Sequence, residues 1–223
     1  MSSTHTTFSK RLQDKTHLRI QKVLLSLLPQ SRLEYRFSSI SRIADVAMLS
    51  HNIVFEIQCS PISLEEVQKR IRDYTSVGFT VIWILHHRYF NSEVVSPAEL
   101  YLRKRLAYFT SITKYGYGFF YDQLEVFKGL SRVYKSHPFI LKWMTPLYLT
   151  CIPRTFPKTL KERFMHTQLY LPGDLTYHLL TSKSTRWAKR IEREHSATVF
   201  GRFVSLFQDL FLYLLRLNAS QHH

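Results

Sequence analysis

The sequence predicts an α/β fold, a mixed sheet flanked by helices, with a mainly helical C-terminal extension. Three observations lead to it. Between residues 17 and 86 the apolar pattern switches from helical spacing to strand-like alternation and back. Serine-led capping signatures at Ser63 and Ser96 open helices after strand-like runs. The run FTVIWILH (79–86) is continuously apolar and rich in β-formers, as a strand covered on both faces is.

The elements follow in order. HLRIQKVLLSLL (17–28) carries Leu18, Val23, Leu25 and Leu28 near helical spacing, and Pro29 ends it. LEYRF (33–37), RIADVAML (42–49) and NIVFEIQ (52–58) read as a three-strand meander, separated by Ser-rich and Ser-His-Asn turns. Ser63-Leu-Glu-Glu66 opens a helix through Leu64, Val67, Ile71 and Tyr74 that stops at Gly78. The strand at 79–86 is then expected at the centre of the sheet. Ser96-Pro97-Ala98-Glu99 places serine at the cap and proline at the first helical position, predicting a helix to about Thr110. YGYGFFYDQLEVF (115–127) reads as a hairpin turning at Asp122-Gln123. From His137 onward, Pro138, Pro146, Pro153, Pro157 and Pro172-Gly173 divide the expected helices. The expected division is 1–135 for the sheet domain and 136–223 for the extension. The last apolar segment, 199–217, contains Arg202, Asp209 and Arg216, so a packed helix is expected there and not a membrane span.

A chain of 223 residues can bury roughly 70% of its unfolded surface without covalent staples. Its two cysteines, Cys59 and Cys151, lack the spacing of a disulfide framework or a structural zinc site. The first nineteen residues are polar and basic, without the apolar core of a signal peptide, so a reducing, cytoplasmic setting is expected. Thirty-one basic residues against 16 acidic ones give a net charge of +15, spread over every third of the chain. Such a surface attracts a polyanion, DNA or an anionic membrane, unless it is simply a solvated basic surface.

The chemistry concentrates at 45–58. Alternation puts Glu56 and Gln58 on one face of their strand. If Ser50-His51 is a two-residue turn, Asp45 lies directly across from Glu56. Two carboxylates about 5 Å apart repel by of order 3 kcal/mol at an effective dielectric of 20, a conflict that a divalent cation resolves. Oxygen donors of this kind suit Mg2+ or Mn2+. The alternative is an ordinary ion pair of Glu56 with Arg36 or Arg42. Elsewhere, His86 and His87 end the apolar strand without a visible orienting partner. Cys59 reads as a small buried residue. Arg186, Lys189, Arg190 and Arg193 surround Trp187, as in a phosphate-contacting helix or a solvated helix face.

RIADVAML, VFEIQCSPIS, the EVQKRIRDY helix and the GFTVIWIL strand resemble the nuclease core of the competence protein CoiA-like family, within the PD-(D/E)XK superfamily. The resemblance covers residues 17–90. It implies that Asp45 and Glu56 are the motif carboxylates and that Gln58 stands where many superfamily members have lysine. It also implies that Glu34 is an additional family glutamate and that Arg70 and Tyr74 line the site. The expected activity is metal-dependent cleavage of DNA during transformation or recombination. Asp45, Glu56, Glu34 and the Ile57 carbonyl would serve as metal ligands, Asp45, Glu56 and Gln58 as the catalytic set, and Arg70, Tyr74, Arg186, Lys189 and Arg190 as substrate contacts. Two departures stand out. No cysteine precedes Cys59, whereas family members often begin with a cysteine-containing segment, and glutamine cannot supply the charge of lysine. The rival readings are a non-catalytic DNA-binding protein with the same fold, and a membrane-surface or partner-binding protein.

Overall fold

A computed structural model describes residues 15–182 and 185–196. The segment 199–217, with its expected packed helix, lies outside the described residues. Helix α1 (Lys15–Leu27) buries Ile20 and Leu24, and Leu28 just beyond its end is also buried. Strands β1 (Arg32–Phe37), β2 (Arg42–Met48) and β3 (Ile53–Gln58) form the expected antiparallel meander. Helix α2 (Leu64–Ser76) then crosses to β4 (Thr80–His86), which pairs parallel to β3. The cap of α2 forms as expected on one side only. The Ser63 hydroxyl accepts the Glu66 N–H at 3.1 Å, but the Glu66 carboxylate turns to Arg42 and Arg70.

The helix opened at Ser96 is shorter than its cap suggests. Helix α3 (Pro97–Arg103) ends after two turns, and Ala107–Thr110 becomes β5, parallel to β4. Arg103 is the reason at hand: its guanidinium is buried and bonds Glu125, the Ala107 carbonyl and Asp122, tying the helix end to later strands. The aromatic run after it joins the sheet core.

The expected hairpin at 115–127 does not form. Strand β6 (Phe120–Asp122) pairs with β5 and with β9 (Phe139–Ile140), whereas β7 (Glu125–Lys128) pairs with β8 (Ser131–Lys135) in a second sheet. Gln123-Leu124 is therefore a crossing between sheets. Beyond 140 the described residues give β10 (Leu147–Tyr148), α4 (Lys158–Phe164), β11 (Leu169–Tyr170), α5 (Leu175–Thr181) and α6 (Arg186–Ser196). The short β10–β11 pair is an addition to the helices expected there.

The main sheet has the order β1-β2-β3-β4-β5-β6-β9, with β4 in the middle as its apolar run requires. On one face, α1 packs over Val46, Met48, Phe55, Ile57 and Ile84, joined by Leu141, Met144 and Leu171 from the later chain. On the other, α2 and α3 cover Ala44, Val54, Trp83 and Phe109. A third core links Leu124 to Phe156, Leu160 and Leu179. Buried charges bind these parts together: Asp122 accepts from Arg103 at 2.8 Å and from Arg163 of α4 at 2.8 and 3.2 Å, and Arg132 bonds Glu125 and Glu99.

Candidate functional site

The β2–β3 hairpin sets the site. Its register pairs Val46 with Phe55, Ala47 with Val54 and Met48 with Ile53, which is the register expected from sequence. The loop differs: a 3-10 turn at Leu49–His51 and Asn52 in the left-handed region (φ 54°) make four residues in place of two. Both loops centre on the Ser50–His51 bond, so the register is unchanged. One more step would pair Asp45 with Glu56, but the ladder ends before it. Asp45 Oδ2 instead accepts the Ile57 N–H at 2.7 Å.

The same carboxylate meets α1. Its Oδ1 lies 3.0 Å from His17 Nε2 and accepts from Gln21 Nε2 at 3.4 Å. Neither residue was singled out by the sequence. Their one visible signal is the four-residue spacing that puts both on the edge of the apolar stripe of Ile20 and Leu24. Across β1, Leu33 pairs with Val46 and Tyr35 with Ala44, which leaves Glu34 opposite Asp45. Glu34 has a φ of 46°, a conformation costing a non-glycine residue about 1–2 kcal/mol, and the β1–β2 pairing skips Glu34 and Asp45. The Glu34 side chain is exposed.

Glu56 faces the other helix. It is 2% exposed, and its two oxygens accept from Arg70 and from the Tyr74 hydroxyl, each at 2.7 Å. Arg70 and Tyr74, one helical turn apart on α2, thus act on Glu56 directly. Arg70 also bonds Glu66 at 2.8 Å, and Arg42 is taken by Glu66 and Asp73, so the ion pair of Glu56 is with neither Arg36 nor Arg42. Gln58 is buried, and its amide donates to the Ser60 carbonyl at 2.7 Å.

Burial, then the charge of Asp45, raises the Glu56 pKa to about 7, against the opposing pull of Arg70 and Tyr74. Burial lowers the Arg70 pKa, but Glu56 and Glu66 outweigh it, and the net direction is upward. Burial and the neighbouring Glu56 charge raise the Tyr74 phenol, which stays a donor. Burial is the larger cause of the Glu56 shift, and the Asp45 charge adds to it. Two hard oxygen donors in this state match a divalent cation in kind. Among the described residues, however, no group of three or more His, Cys, Asp or Glu side chains is gathered to hold a metal ion. Asp45 reaches toward α1 and Glu56 toward α2, while Glu34 sits at the surface of β1. Asp45 and Glu56 are close enough for their charges to act on each other, but Glu34 does not join them in a group of three.

The other histidine and cysteine candidates stand at the ends of β4 and β3, next to the paired Leu85 and Gln58. His86 Nε2 is 3.2 Å from the Ile112 carbonyl, while Cys59 is half-buried against the α1-side core. On α6, Arg186 and Arg190 are exposed, Arg190 pairs with Glu194, and Lys189 reaches the Arg154 carbonyl. Trp187 turns inward, its ring 6.1 Å from that of Phe139, so the basic helix presents no free aromatic face. Helix α6 packs chiefly against β7, away from the strands carrying Asp45 and Glu56.

The mixed sheet, with Asp45 and Glu56 where β2 and β3 part, is the frame of a nuclease-like domain. A family model for the nuclease-like domain of competence protein CoiA matches residues 14–139, more than half of the chain. The chain belongs to that family. No curated protein and no solved structure matches it.

Proposed function

We propose that the protein is a metal-dependent deoxyribonuclease of the PD-(D/E)XK type, acting in DNA processing or recombination during transformation. The observation that carries this reading is the buried Glu56 carboxylate, held at 2.7 Å by both Arg70 and Tyr74 at the point where Asp45 ends the β2–β3 ladder. Family membership supports it independently. Asp45 and Glu56 would hold Mg2+ or Mn2+, with the Ile57 carbonyl and Glu34 as the remaining candidate donors. When bound, such a cation polarises the phosphodiester and lowers the pKa of water.

The chain's own residues do the positioning. Arg70 and Tyr74 fix Glu56 from α2, and His17 and Gln21 fix Asp45 from α1. Gln58 would orient the attacking water by hydrogen bonding, in place of a lysine. The basic surface draws the DNA phosphates, with the exposed cations of α6 as an outlying contact. Incubation of supercoiled plasmid with the protein in Mg2+ and in chelator tests the reading. Nicking in Mg2+ alone supports it, and a plasmid left intact in both, with binding retained, favours a non-catalytic DNA-binding protein.

A further inference from the structure

We infer that the loop between β5 and β6, residues 111–119, is a stacking platform for single-stranded DNA beside the Asp45–Glu56 site. The inference rests on the nuclease reading for the identity of the polymer as DNA. Three aromatic residues fall within five positions of this loop: Tyr115, Tyr117 and Phe119 are 67%, 78% and 39% exposed. Rings are normally turned inward, where their large apolar area is removed from water. Here the backbone holds them out. The Thr113 N–H donates to the Tyr117 carbonyl at 2.8 Å, the Gly116 N–H to Thr113 at 2.9 Å, and the Ser111 N–H to Phe119 at 3.1 Å. Gly118 (φ 132°) closes the turn, because a Cβ there would lie 2.6 Å from the Ser111 backbone. The exposure is therefore a property of an ordered loop.

Cations accompany the rings. Lys114 Nζ lies 5.0 Å from the centre of the Tyr115 ring, and the Arg19 side chain of α1 packs 3.2 Å from where a Cβ on Gly116 would stand. The position of the loop links it to the candidate site from two sides. Arg19 belongs to the same N-terminal part of α1 as His17, which meets Asp45. His86, which meets the Ile112 carbonyl, ends β4 beside the end of β3, where Gln58 pairs with Leu85. The loop thus stands at the carboxyl ends of the parallel strands β3, β4 and β5, where open α/β sheets bind ligands.

Exposed rings flanked by cations match unpaired bases and their phosphates. Each base of a single strand offers a π face to stack on, whereas a duplex hides those faces inside its own stack. A solvated basic surface needs no such rings, and a second copy of the chain would not be attracted by a like charge of +15.

Fluorescence anisotropy with a labelled 20-nucleotide oligo-dT and a 20-base-pair duplex, both in chelator, tests the inference without cleavage. The double variant Tyr115→Ala/Tyr117→Ala should bind the single strand roughly ten-fold or more weakly. Its duplex affinity and thermal melt should match the wild type, and Tyr115→Phe/Tyr117→Phe should restore single-strand binding. The inference is overturned if the alanine variant binds oligo-dT as the wild type does, or weakens both DNA forms equally. Because the assay is run without metal, its failure leaves the nuclease reading standing. Likewise, loss of that reading in the nicking assay leaves the binding result unaffected.

Discussion

The Asp45 carboxylate takes the place of a strand partner for Ile57, accepting its backbone N–H at 2.7 Å where the β2–β3 ladder ends. One carboxylate thereby closes the gap between parting strands and lies near enough to Glu56 to raise its pKa. An asparagine at 45 can still accept this N–H through its amide oxygen, whereas alanine leaves it unpaired. Asp45→Ala should therefore be less stable than Asp45→Asn by about 1–3 kcal/mol, measured by urea denaturation. Equal stability of the two variants would mean that the hydrogen bond contributes nothing to the fold.

Glu56 gives a pH signature. Its folded pKa of about 7 lies above its ordinary value of 4.5, so the native state holds the proton more tightly than the unfolded chain. That contribution is full below pH 4.5 and is lost as pH rises through 7. Metal-free protein should lose up to a few kcal/mol from this group across that window. The Glu56→Gln variant should show a flatter profile in thermal melts between pH 5 and 8. An unchanged slope in the variant would contradict the burial argument.

The buried network around Asp122 predicts a second, separable pH effect. Burial raises Asp122, but Arg163 and Arg103 outweigh it and hold the group below the usual carboxylate range. Asp174, the N-cap of α5, is raised to about 7 by burial and by Asp122. Asparagine at 174 can keep the 2.7 Å cap to the Tyr177 N–H without a charge. The stability difference between Asp174→Asn and wild type should move in the variant's favour from pH 5 to pH 8. A difference that is constant with pH would remove the assignment.

How much of this was legible in the sequence depended on whether the signal was local. The β2–β3 register could be read from alternation because any loop centred on Ser50–His51 preserves it, even though Asn52 lengthened the loop. The central place of β4 followed from its two-sided apolarity. The end of α3 could not be read, since it is set by Arg103 reaching Asp122 and Glu125, some twenty residues away. The same long-range pairing divided Phe120–Asp122 from Glu125–Lys128 between two sheets. At the site, alternation pointed to Asp45 and Glu56. The partners that hold Asp45, His17 and Gln21, emerge only when α1 is laid across the sheet.

The net charge of +15 predicts salt-sensitive DNA binding. The logarithm of the duplex binding constant should fall linearly with the logarithm of salt concentration, with a slope near −0.9 per phosphate neutralised. Binding that ignores salt between about 50 and 200 mM would remove the electrostatic argument.

The most direct measurement is plasmid nicking by Asp45→Asn beside the wild type, at equal concentrations in Mg2+, with DNA affinity measured in parallel. Asparagine keeps the bond to Ile57 and removes the charge, so a folding defect is not expected to mask the result. The predicted outcome is Mg2+-dependent nicking by the wild type, its loss in the variant, and nearly equal DNA affinity for both. Nicking by Asp45→Asn at the wild-type rate would contradict the assignment of Asp45 and Glu56 as the catalytic pair.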